Sequence, residues 1–120
     1  MRISFEINDV KHTLYFGMDA YEIVAEKSFK ATIENNVSNF KMCSYIIFGG
    51  LVNEAVIKEL PKPDYEVAYE LMQEIVQQPE EFQNKIFTAW EQSLANKELQ
   101  KILNANKKKV EVKKRKTLAK

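Results

Sequence analysis

The chain has 120 residues, 45% hydrophobic and 29% charged, which predicts one soluble globular domain with a single core. Its one cysteine excludes an intrachain disulfide, and its longest apolar run, at 42–52, is too short for a membrane-spanning helix. The net charge of +1 conceals an asymmetry: residues 105–120 carry eight basic groups and one acid, whereas the other 104 residues carry ten basic groups and sixteen acids.

The N-terminal stretch predicts a β-hairpin. Apolar and polar side chains alternate on both sides of Asn8-Asp9, a pair that tolerates the left-handed backbone of a tight turn. The alternation gives each strand one face for a core and places His12 on that face, near Phe5 in the simplest register. Because an isolated hairpin is marginally stable in water, helices must cover this face.

A short first helix is predicted after the hairpin. Asp19 has the position of an N-cap, and Glu22 completes a pair that resembles a capping box. The helix is expected over about 20–28. The polar segment 30–37 is then expected to be a loop.

The second predicted helix runs from a cap at Ser38 to about Glu59. It is apolar on nearly all sides, which is typical of a buried central helix. Gly49 and Gly50 lie inside it, although each glycine costs about 1 kcal/mol relative to alanine in a helix interior. They indicate either the close approach of another element or a kink.

Prolines mark two further helices. Pro61 and Pro63 end the second helix, and Asp64 is predicted to cap a third helix over about 65–78. Pro79 is expected at the first position of a fourth helix. Asn96 is expected to break or re-cap that helix before a final amphipathic segment.

The fourth helix carries large apolar residues at every fourth position: Phe82, Ile86, Trp90 and Leu94. Such a stripe ordinarily belongs to a core. If the helix is left uncovered by its own chain, those of Phe82, Phe87, Trp90 and Leu94 that are exposed instead mark a partner surface.

The predicted fold is therefore α+β and mostly helical, with an N-terminal β-hairpin followed by about four helices. Residues 1–104 are expected to form a single globular domain. Residues 105–120 are expected to form a disordered, flexible basic tail, because a block of like charges repels itself.

Residues typical of catalytic and metal sites are scarce. The chain has one histidine, His12, and one cysteine, Cys43, and neither lies in a nucleophile or metal-ligand motif. A partly buried histidine and a small buried hydrophobe are the simpler interpretations. We predict no enzymatic activity, no metal and no cofactor.

The basic tail is a candidate binding segment. Lysine-rich arms bind phosphate backbones, but this one has no aromatic residue to stack on bases, and the remainder of the chain is acidic. A nucleic-acid arm, an arm for an acidic protein and a solvated extension all stay open. The candidate residues are Lys107, Lys108, Lys109, Lys113, Lys114, Arg115 and Lys116.

The order of elements, with FEINDVKHTLYFGMDAYEIV at the hairpin and PKPDYEVAYELMQEIV after the proline break, resembles the tail assembly chaperones of long-tailed, siphovirus-like bacteriophages. Many small members open with an Ile-Asn pair followed by Leu-x-Phe-Gly. Several also carry a Lys-Pro or Arg-Pro step after an apolar helix. The matching residues here are Ile7, Asn8, Leu14, Phe16, Gly17, Lys62 and Pro63, and the resemblance covers about residues 1–104.

The resemblance implies a non-enzymatic role in the host cytoplasm. Such chaperones bind the long, helical tape measure protein and keep it soluble while tail tube subunits polymerise around it. The implied partners are the tape measure protein or another tail protein, and a second copy of the chain. The alternative is a small nucleic-acid-binding accessory protein that uses the basic tail; no membrane partner is expected.

Overall fold

The computed structural model describes residues 1–35, 38–102 and 104–105. Its elements are β1 (Arg2–Ile7), β2 (Val10–Tyr15), α1 (Met18–Ile33), α2 (Asn39–Ile57), α3 (Tyr65–Ile75), α4 (Glu80–Glu91) and a further helix, α5, at 94–102. The predicted mostly helical α+β fold with an N-terminal hairpin is confirmed, with five helices rather than about four. Except for residue 105, the predicted basic tail lies outside the described residues.

The hairpin forms as its sequence predicts. Asn8 and Asp9 have φ angles of 53° and 64°, the left-handed conformation that a two-residue turn requires. The strands pair antiparallel, with Phe5 opposite His12. The rings of these two residues lie 5.6 Å apart, and His12 is partly buried, as predicted.

The start of α1 differs from its prediction. The N-cap position is Gly17, and Asp19 lies within the first turn. The carboxamide oxygen Oδ1 of Asn53, on α2, accepts hydrogen bonds from the backbone N–H groups of Gly17 at 3.1 Å and Ala20 at 3.0 Å. A side chain distant in sequence therefore replaces the predicted local cap.

The end of α1 also differs. The helix continues to Ile33, so the loop predicted for 30–37 is wrong over its first four residues. Ala31 is only 5% exposed. Its burial stabilises the helix in this segment, although the segment's polar composition predicts a loop. Tertiary packing overrides the local signal here.

Helix α2 is the central helix of the core. Ser38 caps it, as predicted, by accepting a hydrogen bond from the backbone N–H of Lys41 at 3.2 Å. Among the described residues it is the one helix long and apolar enough to cross a membrane, and 44% of its most apolar window is buried inside the fold. Core helices of soluble proteins also meet this criterion.

The two glycines of α2 mark a close approach. A Cβ atom at Gly49 would lie 3.0 Å from the carbonyl oxygen of Ala20 on α1. One at Gly50 would lie 2.9 Å from Cβ of Leu14 and 2.9 Å from the ring of Phe16. Of the two predicted explanations, close packing therefore accounts for both glycines.

An ion-pair network fixes the hairpin to α2. Glu54 is 6% exposed; its Oε2 accepts a hydrogen bond from Arg2 Nε at 3.0 Å, and its Oε1 forms an ion pair with Lys58 Nζ at 3.0 Å. Burial alone would raise the pKa of Glu54. The hydrogen bonds and charges of Lys58 and Arg2 outweigh it, so that the pKa is lowered.

Of the three C-terminal helices, α3 begins at its predicted N-cap, whereas α4 and α5 begin at other positions than predicted. Asp64 holds the N-cap position of α3 without a side-chain cap hydrogen bond, and Pro79 is the N-cap of α4 rather than its first helical residue. Ser93, not Asn96, starts α5. Its Oγ accepts from the backbone N–H of Asn96 at 3.2 Å, in the manner of an N-cap.

Candidate partner-binding site

The two apolar site candidates pack against the hairpin. Trp90 is 5% exposed, and its ring meets that of Phe16 edge-on with 5.3 Å between centroids. Phe82 is partly buried and meets Phe5 edge-on at 5.7 Å. Trp90 is thus a core residue in this fold. Leu94, the last residue of the predicted stripe, lies beyond the end of α4 and is 64% exposed, so the core interpretation is wrong for that position.

The basic candidates, Lys107, Lys108, Lys109, Lys113, Lys114, Arg115 and Lys116, lie outside the described residues. Their contribution to binding stays a prediction from the charge of the sequence. The last described residues, 104–105, follow α5 in the chain, and the basic segment comes after them.

A groove runs between α1 and α5, with a volume of about 580 Å³. Apolar side chains and the stems of short polar ones make most of its wall, and Glu26 is the one charged residue in its lining. The lining residues are Ala25, Glu26, Ser28, Phe29, Thr32, Leu99 and Ile102.

Large apolar side chains in and around this groove are exposed to solvent. Phe29 is 64% exposed and Ile102 is 46% exposed, and both line the groove. Ile33, one helical turn beyond Phe29, is 69% exposed. A group of exposed apolar side chains on a concave surface is typical of an interaction site.

Sequence reasoning did not identify this groove. The usable signal was the recurrence of Tyr21, Ala25, Phe29 and Ile33 at intervals of four, which defines one side of a helix. Because the first helix was predicted to end at residue 28, Phe29 and Ile33 were not recognised as part of that side. The position of α5 beside it depends on tertiary packing that no local pattern contains.

A second cluster lies where α1, α2 and α3 meet. The ammonium nitrogen Nζ of Lys27 is 4.7 Å from the ring centroid of Tyr65, 5.2 Å from that of Phe48 and 5.8 Å from that of Tyr45. These distances fall within the range of cation–π attraction. The cluster places a cation over aromatic rings, and none of its four residues lines the apolar groove.

The residues weighed as catalytic candidates lie apart from both surfaces. Burial raises the pKa of the Cys43 thiol, which disfavours the nucleophilic thiolate. His12 packs on Phe5. Across residues 1–35, 38–102 and 104–105, no three His, Cys, Asp or Glu side chains form a group that could hold a metal ion.

No protein-family model, no curated protein and no solved structure matches this chain. The groove and the aromatic cluster are therefore interpreted from their own geometry.

Proposed function

We propose that this protein is a non-enzymatic tail assembly chaperone of the kind found in long-tailed bacteriophages, acting in the host cytoplasm. In this proposal it holds helical segments of the tape measure protein in the groove between α1 and α5. One observation carries the proposal: an open groove of about 580 Å³ whose walls expose Phe29 and Ile102.

The shape and chemistry of the groove favour an amphipathic helix as the occupant. Two helices form its walls, and a third helix can place apolar side chains at i, i+3, i+4 and i+7 between them. Glu26 at the lining would pair with a lysine or arginine at the border of the partner's apolar stripe. A long helical protein offers many such segments.

Binding at this surface requires no opening of the core. Phe29 and Ile102 are already exposed, and the side of α1 that packs on α2 is closed by other residues, among them Ala20 and Val24. A rigid surface that is exposed before binding gives fast, reversible contacts. Such contacts suit a holder that must release its partner during assembly.

The test compares two exposed apolar positions. Tagged wild-type protein and the variants Phe29→Asp and Val10→Asp are used to capture partners from the native cell, with and without nuclease. Val10 is 53% exposed beside the hairpin turn, does not line the groove, and is the matched control. The captured protein is identified by mass spectrometry and then titrated in purified form.

The proposal predicts nuclease-resistant capture of a long helical protein. Phe29→Asp should weaken its binding by about thirtyfold or more, the effect of losing an apolar anchor worth about 2 kcal/mol, whereas Val10→Asp should retain it. Equal binding of the partner by both variants would show that the groove is not the binding site. Capture of shorter, non-helical proteins alone would remove the chaperone role.

The charge asymmetry of the chain favours one alternative, nucleic-acid binding by the basic segment. Residues 105–120 carry eight of the chain's eighteen basic groups. In that case binding of a DNA or RNA duplex should fall steeply with salt and vanish on truncation after residue 105. Phe29→Asp should then leave binding unchanged, which separates the two functions.

A further inference from the structure

The aromatic cluster around Lys27 has the geometry of a cage for an ammonium group. Tyr45 and Phe48 come from α2, and Tyr65 comes from the first turn of α3. The rings of Phe48 and Tyr65 are nearly perpendicular, at 87°, with 5.6 Å between centroids. The ring of Tyr45 lies 5.7 Å from that of Tyr65.

A buried hydrogen bond fixes the orientation of Tyr65. Ser44 is fully buried, and its Oγ donates to the backbone carbonyl of Lys41 at 2.6 Å. Because that hydroxyl proton is used, the Tyr65 hydroxyl donates to Ser44 Oγ, at 2.6 Å. One wall of the cage is therefore held in place independently of Lys27.

The ammonium group of Lys27 depends on these rings for its contacts. No salt bridge or hydrogen bond joins its Nζ to another described residue in 1–35, 38–102 or 104–105. Two small cavities of about 180 and 200 Å³ flank the side chain, and both are lined by Lys27 and Lys30. Both cavities border the rings, since Phe48 lines the first and Tyr45 and Tyr65 line the second.

We propose that Tyr45, Phe48 and Tyr65 form a binding site for alkylammonium groups, which Lys27 fills in the free protein and which the lysine side chain of another segment takes over by displacing it. Because one cation replaces another over the same rings, the exchange involves no unpaired buried charge. This site is independent of the proposed apolar groove. Its ligand class is a lysine or methylated lysine side chain.

Two sources can supply that lysine: the chain's own basic segment at 107–116 or a partner protein. The fifteen residues after 105 span at most about 50 Å when extended, several times the diameter of a helix of about 10–12 Å. The basic segment is therefore long enough to be tested as one source. The experiment separates the two sources.

Tetramethylammonium and an N-acetylated trimethyllysine amide serve as probes, titrated into the full chain and followed by NMR. Lys27→Ala should bind both probes about tenfold or more tightly than wild type, because the tethered competitor is gone. Lys85→Ala, which removes an exposed cation of α4 that lines neither cavity, is the matched control and should behave as wild type. Adding Tyr65→Leu to Lys27→Ala should abolish the gain.

A readout in the wild-type chain avoids dependence on the folding of the variants. Ring currents should shift the side-chain methylene resonances of Lys27 upfield, and saturating probe should return them toward free-lysine values. Resonances that stay unchanged at saturating probe, or a Lys27→Ala variant that binds no more tightly than Lys85→Ala, would overturn the cage.

Truncation after residue 105 identifies the source. If the chain's own lysines compete for the cage, the truncated protein should bind the probes more tightly than the full chain. Unchanged probe affinity, with the Lys27→Ala effect retained, would overturn the basic segment as the source and assign the lysine to a partner.

Discussion

The two sides of α1 are packed in opposite ways. On the side facing α2, Ala20 and Val24 are fully buried, and Gly49 lets the two backbones approach until a Cβ would touch the carbonyl oxygen of Ala20. On the side facing α5, Phe29 and Ile102 remain exposed around an open groove. One helix thus closes the core on one side and presents apolar surface on the other.

The difference lies in the side chains at each contact. Glycine and alanine allow close helix packing, whereas the α1–α5 contact is lined by larger residues, including Phe29 and Leu99, and by no glycine. Helices separated by large side chains leave grooves unless further side chains fill them. The closed side therefore supplies stability, and the open side is available for binding.

The largest expected effect on stability tests whether Trp90 belongs to the packed core. Trp90→Ala should lower the free energy of unfolding by about 3–5 kcal/mol, since it removes a buried ring packed on Phe16. Leu94→Ala, at a site 64% exposed, should change it by less than about 0.5 kcal/mol. Urea denaturation measures both, and equal effects would show that α4 is not part of the core.

Adding side-chain atoms at Gly50, where α2 packs closely on the end of the hairpin, should have the next largest effect on the free energy of unfolding. Gly50→Val places atoms where Leu14 and Phe16 already lie and should cost about 3 kcal/mol. Glu70→Val, at an exposed position of α3, controls for the helix propensity of valine. A Gly50→Val protein as stable as this control would contradict the close packing on α2.

The non-local cap of α1 should contribute less. Asn53→Ala leaves the N–H groups of Gly17 and Ala20 without their acceptor, which should cost about 1–3 kcal/mol. The exposed Asn84→Ala is the control. Hydrogen exchange should also accelerate at Ala20 in the Asn53 variant, and unchanged protection there would exclude the capping role.

The Glu54 network should make part of the stability depend on pH. The folded-state pKa of Glu54 is below its ordinary value of 4.5, so its stabilisation is present above that value and is lost as the pH falls through the folded-state pKa. Glu54→Gln should therefore destabilise the protein more at about pH 7 than at about pH 3. A penalty that is independent of pH would indicate a purely steric effect.

The smallest effect on stability is expected in the groove. Phe29→Ser should change the free energy of unfolding by less than about 0.5 kcal/mol, because the ring is 64% exposed. The same change should weaken partner binding. A large loss of stability in thermal unfolding would place Phe29 in the core. It would contradict the difference in packing between the two sides of α1.

Local signals were sufficient for some elements. The alternation around Asn8-Asp9 predicted the hairpin and its register, and Ser38 before a long apolar segment predicted α2. In these regions the residues that determine the structure are adjacent in sequence. Gly49 and Gly50 indicated either a close approach or a kink, and the sequence did not decide between them.

Other features depend on residues far apart in the chain. The cap of α1 comes from Asn53, and the length of α1 depends on the burial of Ala31. The groove requires α5 to lie beside α1, and the aromatic cage combines side chains of three helices around Lys27. No pattern within one segment contains these arrangements, so the sequence predicted the fold class better than either binding surface.

Photo-crosslinking from the groove tests the central claim most directly. A benzophenone amino acid is placed at position 29 or, as the control, at position 10, and the tagged proteins are irradiated in the native cell. We expect a covalent adduct with a long helical protein from position 29 and none from position 10. Adducts from both positions, from neither, or with nucleic acid alone would contradict the groove as the binding site.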